Sequence, residues 1–150
     1  MSYWHHNMTD TNKNKIGLTK QFFFGGNATF TIKSEKTGDW RTFKFRQPKD
    51  KPCFAMLLTG PDNENSFTYI GLVNSEDCSL RLTKNSKRND TSPDVQILRW
   101  FLNHLRTDGE LPNATVYHEG RCGCCGRKLT TPESCERGIG PECWSRMGGM

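Results

Sequence analysis

The sequence predicts an α+β fold, an antiparallel meander sheet of about five strands packed by one helix, followed by a small cysteine-rich module. Strand-like alternation fills residues 22 to 83 between short turns. A single amphipathic helix follows, and five of the seven cysteines then crowd into Cys122 to Cys143. Three segments result: 1–15 as a flexible arm, 16–113 as the α+β domain and 114–150 as the module.

The opening residues are polar and aperiodic, apart from Trp4-His5-His6. From Phe22 onward the pattern is that of strands. Phe30 and Ile32 alternate with Thr29, Thr31 and Lys33, and Phe43 and Phe45 alternate with Thr42, Lys44 and Arg46. Lys36-Thr37-Gly38-Asp39 supplies the turn between these two runs. Cys53 to Leu58 is continuously apolar, as a central strand requires, and Gly60-Pro61-Asp62-Asn63 ends it. Phe67 to Val73 and Leu80 to Thr83 give two more strands.

After the basic loop Lys84 to Asn89, Ser92-Pro93-Asp94 reads as N-cap, first helical position and first-turn acid. Leu98, Phe101, Leu102 and Leu105 share one face, and Gly109 ends the helix. This apolar stripe is expected to pack on the sheet. Ala114 to Tyr117 is a last short strand that delivers the chain to His118.

Composition narrows the class. Hydrophobic residues make up 33% of the chain and mean hydropathy is −0.75, yet aromatics reach 11%, which argues against global disorder. No apolar run is long enough to span a bilayer, and the first residues lack a signal-peptide core, so a cytoplasmic protein is expected, in the host cytoplasm if phage-encoded. Clustered cysteines in a reducing compartment point to metal rather than disulfides. The sequons at Asn7, Asn27, Asn89 and Asn113 then carry no meaning. Net charge is +5, unevenly spread: residues 11–51 hold ten Lys/Arg against three Asp/Glu, and residues 52–80 hold none against four.

The module's spacing is chemical. Cys122-x2-Cys125-Gly126 is a zinc knuckle, in which two intervening residues let backbone amides face the sulfurs and the glycine permits the tight turn. Cys143 follows Gly140-Pro141 in the first turn of a short final helix, giving a treble-clef-like plan. The expected metal ligands are His118, Cys122, Cys125 and Cys143, with Cys135 as rival for the fourth place; Cys124 is set aside because it adjoins Cys125.

His118-Glu-Gly-Arg-Cys122, Cys125-Gly-Arg127, Leu129-Thr130, Pro132-Glu-Ser134 and Gly138-Ile-Gly-Pro141 with Cys143 together resemble a family of uncharacterised bacteriophage and mobile-element proteins. That family ends in a module of the form HEGRCGxCGRxLTxPES followed by GIGPxC, and the likeness extends to upstream stretches such as FTIKSEKTGDW. The resemblance implies zinc binding and no settled activity. In the family the positions of Cys124 and Cys135 are usually not cysteine, which implies His118 as the fourth ligand here.

The zinc is expected to be structural. A module of about 30 residues cannot bury enough apolar surface to fold alone, whereas zinc supplies on the order of 10–16 kcal/mol. Glu119 and Glu142 flank ligands, but three thiolates lower Lewis acidity, and no nucleophile, P-loop or dinucleotide motif appears. No small-molecule substrate is evident.

Two functions compete. Strand alternation places Lys33, Lys44, Arg46 and Arg81 on the sheet face opposite the helix, and Lys84, Lys87, Arg88, Arg127 and Lys128 would extend it, as a surface for DNA or RNA with exposed threonines between the cations. Alternatively Trp144, Met147 and Met150 form an apolar patch by which the protein binds or inhibits a host factor.

Overall fold

In the computed structural model the described residues are 15–60, 66–107, 109–129 and 132–147. Of the expected arm only Lys15 is described, bridged to Tyr117; the rest of the arm and Met150 lie outside them. A single helical turn, α1 (Lys20–Phe23), precedes β1 (Asn27–Ser34), β2 (Trp40–Arg46), β3 (Cys53–Leu58), β4 (Phe67–Asn74) and β5 (Ser79–Arg81). Helix α2 (Pro93–Arg106), strand β6 (Ala114–His118) and the short helices α3 (Pro132–Arg137) and α4 (Pro141–Arg146) complete the chain.

The sheet is antiparallel throughout, in the order β5-β4-β3-β2-β1-β6. The meander runs in one direction to β5, and β6 then pairs with β1 at the far edge. Helix α2 makes that return. Its 14 residues span about 21 Å, close to the roughly 24 Å across five inter-strand gaps. The helix thereby lies over the sheet and buries Val95, Leu98, Phe101, Leu102 and Leu105. Period two on the strands supplies the other layer: Ala28, Phe30, Phe43, Phe45, Ala55, Ile70 and Val73 are all buried. Phe101 stacks on Phe30 with ring centroids 5.1 Å apart.

Three sequence expectations are revised. Phe22 and Phe23 belong to α1 rather than to a strand, and both are fully buried. Ser92 stands at the N-cap position of α2, but its hydroxyl accepts from the Asn89 amide at 3.0 Å and makes no cap bond. First-turn Asp94 instead accepts from Arg41 (2.7 Å) and Arg88 (3.1 Å), tying α2 to β2 and to the loop before it. The threonines between the cations are not exposed: Thr29, Thr31 and Thr42 are buried, and Thr31 and Thr42 share a 2.7 Å hydroxyl hydrogen bond.

Candidate metal centre and sheet face

The knuckle is a tight turn closed by the chain on both sides. The Cys122 amide donates to the Arg127 carbonyl (2.8 Å), the Gly126 amide to the Cys122 carbonyl (2.9 Å) and the Leu129 amide to Gly120 (2.8 Å). Gly126 has φ +80°, a conformation that costs a side-chain-bearing residue about 1–2 kcal/mol. This turn aims the amides of Cys124 and Cys125 at the Cys122 sulfur, at 3.3 and 3.5 Å. Cys143 arrives from the first turn of α4, and the Arg146 guanidinium donates to its sulfur at 3.1 Å.

The sulfurs of Cys122, Cys125 and Cys143 lie within 4.8 Å of one another. Zinc–sulfur bonds of about 2.3 Å at tetrahedral angles place sulfurs about 3.8 Å apart, so a small contraction closes three of them on an ion. With Leu129, Ser134 and Arg146 the cysteines line a cavity of about 190 Å³. The donor set fits zinc: soft sulfurs, amides aimed at one of them and a neighbouring cation.

The three thiols differ in character. Burial pushes the Cys122 thiol up, but the amides of Cys125, Gly140 and Cys124 outweigh it and hold the group below the usual thiol range. Cys125 and Cys143 are raised, first by burial. Outside the cluster, burial pushes Cys53 up to about 11, the behaviour of an inert core thiol.

His118 is not brought into this group. It is fully buried at the end of β6; its Nδ1 accepts from the Gly120 amide at 2.9 Å and its Nε2 meets the Cys135 carbonyl at 2.6 Å. Only the neutral imidazole with the proton on Nε2 satisfies both bonds. Burial holds its pKa below the usual histidine value, against the contrary pull of the Cys135 carbonyl. Cys135 is half-buried and contributes that carbonyl, and its sulfur is not in the cluster either. Cys124, set aside in the sequence, is half-buried and likewise outside the cluster of three.

The module docks on the sheet through α1. A Cβ added to Gly123 would lie 2.6 Å from the Phe22 carbonyl oxygen, and one added to Gly138 would lie 2.6 Å from the Phe22 ring, so Phe22 seats directly against two module backbones. Its ring also approaches that of His118, with centroids 5.9 Å apart. The Asn27 amide donates to the Gly123 carbonyl (2.7 Å) and the Asn27 side chain to the Cys124 carbonyl (2.9 Å). Asn27 Oδ1 in turn accepts from Arg46 at 3.4 Å. The knuckle is thus linked through one asparagine to the sheet face away from α2.

On that face the register forms cross-strand rows. Arg81, Leu72, Phe54, Arg46 and Asn27 are successive partners in one row; Tyr69, Met56, Lys44 and Thr29 form the next. Lys33 pairs with Trp40, and Lys44 sits over the Phe67 ring, 5.4 Å from its centroid. Lys33 and Lys44 are half-buried, Arg46 and Arg81 exposed. No outward position of the six strands carries Asp or Glu. Glu35 and Asp77 stand in the neighbouring turns, bonded to Thr115 and Ser79.

The outlying cations vary in freedom. Lys84, Lys87 and Lys128 are exposed. Arg88 is held by Asp94, and Arg127 faces Glu142 at 3.7 Å with both side chains largely in solvent. Met147 is exposed, whereas Trp144 packs against the core with Arg137 over its ring. Among the described residues no helix is long and apolar enough to cross a membrane. Sequence reasoning missed Asn27 as the link, and missed Phe54 and Leu72 as outward residues, since a continuously apolar strand hides which side faces out.

Residues 112–148 match the model of a family of unknown function, DUF6011, which coincides with β6 and the cysteine module. A search of curated proteins gave no match, and a search of solved structures gave none. The chain is thus an α+β protein whose C-terminal quarter is similar to that family and carries a cysteine cluster fit for a structural zinc ion.

Proposed function

We propose that the protein binds nucleic acid through the sheet face opposite α2, with a structural zinc ion holding the knuckle that buttresses one end of that face. The observation that carries this reading is the row alignment: Arg81 and Arg46 flank Phe54 and Leu72, Lys44 stands in the adjacent row, and no carboxylate interrupts them. Phosphate contacts by Lys and Arg release counterions, so such a face converts charge into salt-dependent affinity. Zinc is bound by Cys122, Cys125 and Cys143, with His118 acting as a hydrogen-bonded clip between β6 and α3. A host-protein surface at the tail has less to work with, because Trp144 is packed and Met147 alone stands exposed there among the described residues.

The test is a titration of zinc-loaded protein with labelled oligonucleotides at several salt concentrations, wild type against Lys44→Gln/Arg46→Gln. Affinity should fall steeply with salt, and the double variant should reduce the slope of log K against log salt by about 1.4, about 0.7 for each lost single-strand phosphate contact. No retention at low salt, or a variant indistinguishable from wild type, refutes the reading.

A further inference from the structure

The same face carries an apolar strip that phosphate binding leaves unused. Phe54, Met56, Phe67, Tyr69 and Leu72 are half-buried, and none of them is among the residues packed against the core, although Leu18, Phe24, Leu82, Ile97 and Trp100 are. A sheet that placed these side chains outward only for pleat reasons would lose little by using threonine there, as β1 does. The rings of Phe54 and Tyr69 are neighbours, with centroids 6.2 Å apart and planes at 65°. The Tyr69 hydroxyl is anchored by Thr83 at 3.0 Å, which fixes its ring, and the Lys87 amide bonds the Tyr69 carbonyl. Cations surround the strip: Arg46 and Arg81 flank the pair Phe54 and Leu72 in their row, and Lys44 lies against Phe67.

We infer that this strip is a base-stacking platform and that the ligand of the sheet is single-stranded nucleic acid. The inference rests on the nucleic-acid reading above and adds the strandedness and the contacts. Bases in a duplex strand repeat at about 3.4 Å and keep their faces hidden. Rings 6.2 Å apart and steeply inclined to each other can be covered only by bases splayed out of a stack, which a single strand permits. Phosphates of such a strand meet Arg46, Lys44 and Arg81 while the bases lie on the rings. Lys44 moves off Phe67 to reach a phosphate, freeing a third ring.

The experiment compares labelled 12-nucleotide single strands of DNA and RNA with the matching duplexes, on zinc-loaded full-length protein, by fluorescence anisotropy. Single strands should bind at least tenfold more tightly than duplexes, and the DNA and RNA arms report which backbone is preferred. Phe54→Leu and Tyr69→Leu keep an apolar side chain but remove the ring, and each should weaken single-strand binding about 5- to 140-fold while leaving the salt slope unchanged. As a readout on unaltered protein, 5-iodouracil strands should crosslink to Phe54, Phe67 or Tyr69. Equal binding of duplex and single strand with neutral ring variants overturns the stacking platform and leaves the phosphate-binding face standing. Crosslinks confined to the knuckle or the loop around Lys87 also overturn it. No binding of any nucleic acid removes both readings together.

Discussion

Phe22 is the point where the sheet domain and the module share one core, and its truncation gives the sharpest quantitative expectation. The ring is fully buried, touches Phe23 at 4.9 Å between centroids, and presses on Gly123 and Gly138 so closely that neither tolerates a Cβ. Phe22→Ala deletes a whole buried ring at a site where the module backbones cannot collapse inward without breaking the Gly123–Gly138 and Asn27–Gly123 hydrogen bonds. Such deletions cost about 3–5 kcal/mol, a large share of the roughly 5–15 kcal/mol that holds a domain folded. For a chain of this size that corresponds to a fall in Tm of about 6–20 °C. Urea unfolding of the zinc-loaded protein, followed by far-UV circular dichroism, measures it. Because metal binding and docking are linked, the variant should bind zinc more weakly, and chelation should cost the variant less stability than it costs wild type. A loss below about 1 kcal/mol, or a chelation penalty identical in the two proteins, would mean that the module folds independently of α1 and would refute the shared-core reasoning.

Other expectations follow from single contacts. His118 is held neutral by burial, so its pKa in the fold lies below the unfolded value of 6.5. Its contribution is therefore complete above pH 6.5 and is lost as pH falls toward the folded value, with a slope of up to about 1.4 kcal/mol per pH unit. His118→Asn should be less stable at pH 7.5 and should lack that part of the acid slope, and parallel pH profiles would contradict the assignment. Substituting cobalt for zinc tests the ligand set: the thiolate charge-transfer bands should diminish in Cys125→Ser and Cys143→Ser and remain in His118→Asn. Bands that shift in His118→Asn as well as in the cysteine variants would restore His118 as the fourth ligand. Asp94→Ala strands the guanidinium groups of Arg41 and Arg88 beside each other and should cost about 1.5–3 kcal/mol by thermal unfolding, whereas an effect under about 0.5 kcal/mol would show both pairs to be solvent-screened.

The architecture was legible where periodicity is unambiguous. Alternation from Thr29 to Arg46 marks β1 and β2 and their faces, and the stripe Leu98, Phe101, Leu102, Leu105 marks α2. What hid was non-local or aperiodic. Pairing of β6 with β1 depends on the helix carrying the chain across the whole sheet, which no window of sequence displays. The run Cys53 to Leu58 is apolar on both sides, so its outward members Phe54 and Met56 read as core. Phe22 and Phe23 look like the start of a strand because aromatic residues favour strands, but the close approach to Gly123 and Gly138 selects a helical turn. In the module, the Cys-x2-Cys spacing and Gly126 announced the knuckle. The orientation of His118 depends on where the Cys135 carbonyl comes to rest, 17 residues away, and spacing alone says nothing about that.

Zinc stoichiometry with and without chelation addresses the central claim most directly. Protein purified without added metal should carry one zinc per chain by native mass spectrometry. Its removal by a chelator should expose the amides of the module, including Gly123 and Leu129, to rapid hydrogen exchange while β1 to β4 stay protected. Metal-free protein with the module still protected, or a chain that takes up no zinc with Cys122, Cys125 and Cys143 reduced, would contradict the account.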